Sequence, residues 1–140
     1  MKSIEILVVD DNPADALLMQ EFLRERYLAK ITVAHDGEEA LGLLLARDYI
    51  PDLILLDLKL PKLNGHETVK RIRRTIARVP IIILSGSRNP DDISFAYAVG
   101  VNAYVEKPTE PDALLRMMQS VAGLWVEPLV REHQLKHQLK

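Results

Sequence analysis

A chain of 140 residues, 48% of them hydrophobic and 27% charged, with a net charge of −2, describes one soluble domain long enough to bury a real core. That balance excludes a basic nucleic-acid-binding face spread over the whole chain, and the absence of cysteine excludes disulfides, thiolate metal sites and thiol chemistry. No stretch approaches the ~20 apolar residues of a membrane span, and Glu5 interrupts the only N-terminal apolar run, so a cytoplasmic protein without a signal peptide or membrane anchor is expected.

The first strand-like run is Ile4–Val9, ending directly in Asp10-Asp11. Adjacent carboxylates at the end of a buried strand repel each other and resist desolvation, so folding alone gives no reason for them. A hard divalent cation such as Mg²⁺ gives one, because it favours oxygen ligands and uses one or two carboxylates. A solvated acidic turn is the plainer reading, and the rest of the chain decides against it. Asn12 then caps a helix with Pro13 at its first position, placing Leu17, Leu18, Phe22 and Leu23 on one face. A second run, Ile31–Ala34, precedes a helix starting at Asp36 with Ala40, Leu41, Leu44 and Leu45. Leu53–Leu56 leads to Asp57, and a third helix follows Asn64-Gly65 with Val69, Ile72 and Ile76 inward and Lys70, Arg71, Arg73 and Arg74 outward. Ile81–Leu84 ends in Ser85, and Asn89-Pro90 opens a fourth helix through Ile93, Ala96 and Tyr97, closed by Gly100. After Ala103–Val105 comes Lys107, and Pro111 opens a fifth helix expected to run to about Val126, where Pro128 stops it. Leu129–Lys140, with His133-Gln134-Leu135-Lys136 repeated at His137–Lys140, reads as a solvated helix or a frayed end.

Strict β–α alternation with near-continuous apolar strands predicts an α/β fold with a doubly wound, five-stranded parallel sheet in the order 2-1-3-4-5. Ligands in such sheets bind at the carboxyl ends of the strands, beside the point where strand order reverses, here between the first and third strands. Asp10, Asp11, Asp57, Ser85 and Lys107 all fall at that edge. Any one of them is an ordinary strand-end polar residue; together they suit phosphoryl transfer to a carboxylate. Asp57, at the centre, is the natural nucleophile. Asp10 and Asp11 would hold Mg²⁺, which neutralises charge on the entering group. Lys107 pairs with phosphoryl oxygens, or with Asp57 beforehand, and Ser85 donates to another oxygen.

In these residues the chain resembles the receiver domains of bacterial two-component response regulators. The matches are Val8-Val9-Asp10-Asp11-Asn12, Leu55-Leu56-Asp57-Leu58-Lys59-Leu60-Pro61, Asn64-Gly65, Ile83-Leu84-Ser85-Gly86 and Tyr104-Val105-Glu106-Lys107-Pro108, in the family's order and spacing. They extend from about residue 4 to 125, giving a receiver over 1–126 and a C-terminal extension or arm over 127–140. The resemblance implies that Asp57 is the phosphoacceptor, fed by a sensor histidine kinase or phosphorelay donor, with intrinsic Mg²⁺-dependent self-phosphorylation and autodephosphorylation. It makes Asp11 a direct Mg²⁺ ligand and Asp10 one acting through water, with Asp57 and the backbone carbonyl of Lys59 completing the set. Ser85 and Tyr104 match the family's switch pair, and Lys107-Pro108 a peptide usually cis. Lys59 departs from the common pattern, being a cation where many relatives are uncharged or acidic; exposed lysines are cheap, which favours its extension into solvent. Thr109 stands where an aromatic is frequent.

Other classes fit less well. A phosphatase of the haloacid-dehalogenase type places its two acids as Asp-x-Asp after the first strand and needs a cap domain. A serine hydrolase needs Gly-x-Ser-x-Gly around Ser85, and a nucleotide binder a Gly-rich loop; neither is here. An adaptor that has lost phosphorylation would have no need of the intact acidic set. An adaptor or phosphate sink in a phosphorelay without a photoreceptor stays open as the alternative pathway.

The receiver occupies almost the whole chain, so output is expected through protein contacts on the face formed by the fourth helix, fifth strand and fifth helix. On the fifth helix Leu114, Met117, Val121 and Leu124 are expected to face the sheet. A second stripe, Leu115, Met118, Ala122, Trp125 and Leu129, is surplus and suggests a partner. Gly123–Leu129 and Asp57–Lys62 resemble a single-domain subgroup that includes regulators paired with bacterial phytochromes. That subgroup implies a homodimer through the fourth and fifth helices or exchanged arms; Trp125 folding back over its own domain is the intramolecular alternative.

Overall fold

A computed structural model of the chain describes residues 3–46, 49–76 and 78–138. Five parallel strands, β1 (Ile4–Val9), β2 (Ala29–Ala34), β3 (Leu53–Asp57), β4 (Ile81–Ser85) and β5 (Ala103–Glu106), pair in the order β2-β1-β3-β4-β5. The helices between them are α1 (Pro13–Arg26), α2 (Gly37–Leu45), α3 (Gly65–Thr75) and α4 (Pro90–Val99), followed by α5 (Pro111–Val121). The pleat sends alternate residues to opposite faces and so builds two cores. Ile6 and Val8 pack with Met19, Phe22 and Leu23 of α1 and Leu114 and Met118 of α5. Leu7 and Val9 pack with Ala40 and Leu44 of α2, Val69 and Ile72 of α3 and Ala96 of α4. Strands covered on both sides need no polar alternation, which is why they read as continuous apolar runs.

Side-chain caps start the helices where the sequence places them. Asn12 Oδ1 accepts from the Ala14 and Asp15 amides, and the side chains of Asp36, Asn64 and Asn89 accept from the Glu39, Glu67 and Asp91 amides. Gly65 is needed for a close approach: a Cβ there would lie 2.6 Å from the Leu58 Cα, and its amide donates to the Leu58 carbonyl at 2.9 Å. This contact folds the chain after Asp57 back against β3.

Several helical faces differ from the expected ones. On α1 the buried line is Ala16, Met19, Phe22 and Leu23, while Leu17 is 54% exposed. On α2 Leu45 is exposed beyond the last inward turn. Arg73, expected outward, turns in: its guanidinium donates to the carbonyls of Gly100 (2.8 Å) and Val79 (2.6 Å) and to Asn102 Oδ1 (2.8 Å). Three fixed acceptors match the planar fork of an arginine and hold the half-buried guanidinium in place. They tie the end of α3 to the α4–β5 turn, where Gly100 adopts φ 111°.

The largest correction concerns the end of α5. Pro128 does not stop it; a π-helical turn over Ala122–Val126 leads directly into α6 (Glu127–Gln138). The Glu127 amide reaches back five residues to the Ala122 carbonyl. Proline is tolerated in a first helical turn because no intrahelical donor is required there, and the widened turn before it relieves the clash with the preceding carbonyl. Leu124 lies on the outside, 72% exposed, rather than against the sheet. Met118 and Ala122, placed by the sequence on the surplus stripe, are instead fully buried in the chain's own core. Leu115, Trp125 and Leu129 pack half-buried against the same cluster. A helix crossing the β1 side of the sheet buries a wider arc when it continues over the sheet end, as α6 does. The Tyr27 hydroxyl donates to Glu127 Oε1 at 3.2 Å, which fastens the start of α6 to the end of α1. Of the expected arm, residues 139 and 140 lie outside the described residues.

The described residues contain no cis peptide bond, so Lys107-Pro108 is trans, the isomer an X–Pro bond prefers by about 0.5–1 kcal/mol. Among the same residues no helix is long and apolar enough to cross a membrane. At the outer edge of the sheet, the Tyr104 amide donates to the Tyr97 hydroxyl of α4 at 3.2 Å.

Candidate functional site

The carboxyl ends of β1, β3, β4 and β5 bring Asp10, Asp11, Asp57, Ser85 and Lys107 to one edge, beside the β1/β3 switch point. Asp10 is buried, and its Oδ1 accepts from the Asn12 amide at 2.9 Å. Asp11 is exposed and Asp57, the last residue of β3, is partly buried. One carboxylate oxygen from each of Asp10, Asp11 and Asp57 lies within 4.8 Å of the other two. Ligands around an octahedral Mg²⁺ at ~2.1 Å sit roughly 3–4 Å apart, so this trio needs only slight closing to hold one. The donor set is all oxygen, which suits a hard cation over a soft one. These residues therefore fit the divalent metal expected from the sequence.

Lys107 crosses the edge to reach the acids. Its Nζ lies 2.7 Å from Asp10 Oδ2, 2.9 Å from Asp15 Oδ2 and 3.3 Å from Asp57 Oδ2, with its side chain only 10% exposed. Burial works against its charge, but hydrogen bonds to Asp10 and Asp15 and the charges of Asp10 and Asp57 outweigh it. The ammonium is held well above the usual lysine range. Burial pushes the Asp10 carboxyl up from 3.8; the Lys107 and Asn12 hydrogen bonds oppose the rise, and the charge of Asp57 adds to it. A 2.7 Å bond between a buried carboxylate and a lysine held charged makes the ion pair the resting state.

Ser85 is fully buried, and its Oγ accepts from the Ser87 amide at 3.1 Å. The Tyr104 hydroxyl donates to the Ser87 carbonyl at 2.9 Å, so the two expected switch residues meet through the same loop residue. Ser87 Oγ donates to Asp92 Oδ2 at 2.6 Å, which carries that connection into α4. Lys59 stands exposed at the site's mouth; its amide donates to Asp57 Oδ1 at 3.1 Å, fixing one face of the carboxylate. A cleft of about 230 Å³ opens above Asp57, with Asn12, Asp15, Lys59, Gly86 and Lys107 among its walls. The expected partner residues Leu115, Met118, Ala122, Trp125 and Leu129 take no part in this edge.

Two participants were not singled out from the sequence. Asp15 reads there as an unremarkable acid in the first turn of α1. A signal existed: a helix opening directly from Asp10-Asp11 must present its first turn to the strand end. Ser87 offered none, because its role depends on where the loop after β4 runs.

Comparison with known proteins agrees with this geometry. Residues 6–119 match the family of the response regulator receiver domain. The response regulator Rcp1 of Synechocystis is 34% identical over 130 residues, covering 87% of this chain and 88% of its own. The Probable methanogenesis regulatory protein FilR2 of Methanothrix harundinacea is 35% identical over 128 residues, covering 86% and 83%. Among solved structures, the phosphorylated cyanobacterial phytochrome response regulator RcpA superposes with a TM-score of 0.83 at 35% identity, over 89% of this chain and 95% of its own. The Mn²⁺-bound form of Rcp1 gives 0.82 at 33% identity with the same coverages.

Proposed function

The chain belongs to the response regulator receiver domain family, and on that ground we propose that Asp57 accepts a phosphoryl group from a sensor histidine kinase in the cytoplasm. The observation that carries this reading is Lys107 resting 3.3 Å from Asp57 Oδ2 beside the Asp10, Asp11 and Asp57 oxygens. An Asp57 oxygen forms the new P–O bond while the bond from phosphorus to the donor breaks, its electron pair leaving with the donor. The Asp10, Asp11 and Asp57 carboxylates, with the Lys59 carbonyl, would hold Mg²⁺, which supplies charge neutralisation on the phosphoryl oxygens. Lys107 pairs with one of those oxygens once Asp57 is esterified. The Ser85 hydroxyl gives up its contact with the Ser87 amide to bind another. Tyr104 then follows, because its hydroxyl is bonded to the Ser87 carbonyl.

Output through the α4–β5–α5 face follows from that chain of contacts, Ser85 to Ser87 to Tyr104 and Asp92. Phe95 and Tyr97 stand exposed on α4 at its far end. On the opposite side, a groove between α1 and α5, with Leu17, Leu18, Phe22 and Leu115 at its floor and Glu21, Glu25 and Arg26 along it, begins beside Asp15 and suits an amphipathic helical kinase partner. A phytochrome-linked kinase is our reading of the likeness to RcpA and Rcp1. We place the proposed homodimer contact on what stays open of the helical stripe, Trp125 and Leu129 flanked by Leu124.

Incubation with Mg²⁺ and acetyl phosphate should add one phosphoryl group by intact mass, and Asp57→Asn should abolish it, since an amide is no nucleophile. Full labelling of Asp57→Asn overturns the assignment.

A further inference from the structure

We propose that Asp15 is a positioning residue for phosphoryl transfer: it holds Lys107 at the mouth of the cleft and slows the reaction of small dianionic donors with Asp57. The inference rests on the reading of Asp57 as phosphoacceptor and extends it to donor choice.

Lys107 has three N–H donors and three carboxylates, and none is left for an incoming group. An arriving phosphoryl oxygen must therefore displace one of them. Asp10 is a poor candidate, because its side chain is only 2% exposed and would be left buried and unpaired. Asp57 keeps its charge until the new P–O bond forms, so its contact with Lys107 lasts until transfer. Asp15 is 23% exposed on the rim, so water can replace the ammonium there at low cost. Lys107 thus has a resting partner at 2.9 Å and a working partner at 3.3 Å, and the two compete for it. Asp15 also places a negative charge on the wall of the cleft that opens above Asp57. A free dianion approaching that cleft meets this charge directly. A protein donor supplies binding energy elsewhere on its surface and can position its own cations against Asp15. The ordinary account of Asp15, an acid favoured in a helix's first turn, predicts only a stability effect.

The test compares wild type, Asp15→Asn and Asp15→Glu in Mg²⁺ with two donors, dianionic acetyl phosphate and phosphoramidate, mostly a monoanion at neutral pH. With acetyl phosphate the Asp57 oxygen forms the P–O bond and acetate leaves with the electron pair. Removing one charge some 5–6 Å from the entering group should raise labelling by acetyl phosphate about 3–10-fold at low ionic strength. The gain should be smaller with phosphoramidate and should fade toward ~1 M salt as screening shortens. Asp15→Glu should stay near wild type. Independent of turnover, the Lys107 ε-ammonium resonance in metal-free protein should move in Asp15→Asn. Asp15→Ser, which suits a helix start, serves if the Asn variant folds poorly. Equal rates, equal salt slopes and an unmoved resonance overturn the inference while leaving Asp57 labelling intact. A wild type that takes no label from either donor overturns the phosphoacceptor reading with it.

Discussion

Asp11 is the exposed member of the acidic trio, while Asp10 is buried and already engaged by Lys107 and the Asn12 amide. The two acids should therefore respond differently to substitution. Asp11→Ala should cost at least about tenfold in Mg²⁺ affinity, more than Asp10→Ala, and should raise metal-free stability by roughly 0.5–1 kcal/mol as repulsion is relieved. Thermal melts with and without Mg²⁺ check both; equal Mg²⁺ stabilisation of wild type and Asp11→Ala would refute the ligand assignment. The strand-end residues of this site were legible in the sequence because Asp10-Asp11, Asp57, Ser85 and Lys107 each end or closely follow an apolar strand, and parallel strands bring those ends to one edge. Asp15 was less so, its one signal being a place in the first turn of a helix that opens at the strand end, and Ser87 was not, because its contribution depends on distances across separate elements. Arg73 was misread for the same reason. Two of its three acceptors, the Gly100 carbonyl and Asn102 Oδ1, come from the α4–β5 turn, 27 and 29 residues away in sequence.

At the scale of elements, caps show how closely helix starts follow local chemistry. Asp36 Oδ1 accepts from the Glu39 amide at 2.7 Å, and Lys62 Nζ lies 3.5 Å from Oδ2. The amide bond first, and then the lysine, hold its carboxyl below the ordinary 3.8. A depressed acid pKa stabilises the fold above the unfolded value and loses that contribution as pH falls through the folded one. The stability difference between wild type and Asp36→Asn should thus be constant above about pH 5 and shrink steadily below 3.8, in urea titrations across that range. A difference that grows on acidification would contradict the cap. Helix starts were readable because Asn12, Asp36, Asn64 and Asn89 act within three residues of themselves. The end of α5 was not. Its continuation through Pro128 depends on the π turn before it and on the Tyr27–Glu127 contact, a hundred residues apart in sequence.

At the scale of the whole molecule, α6 closes one side of the domain. Leu129 and Val130 pack against the core that α1, β1 and α5 share. Deleting residues 127–140 should therefore destabilise the monomer by about 1–3 kcal/mol, the worth of two half-buried aliphatic side chains less the cost of ordering them. Denaturant melts of the truncated and full chains measure this, and an unchanged midpoint would show that α6 adds nothing. Sedimentation of the full chain at about 100 µM tests the proposed dimer alongside, since a monomer there assigns Trp125 and Leu129 to intramolecular packing alone.

The Tyr97 hydroxyl at the β5 edge has a consequence for how copies of this protein behave when crowded together. An open strand edge with a free row of amides is a template on which another chain can add a strand and begin a growing sheet. Here the Tyr104 amide is occupied by a side chain from the helix alongside, and Glu106 at the end of the strand carries a charge paired with Arg88 at 2.7 Å. A strand arriving at that edge would have to break a bond and bury an ion pair before gaining its first ladder hydrogen bond. The β5 edge is thereby a poor template for strand addition.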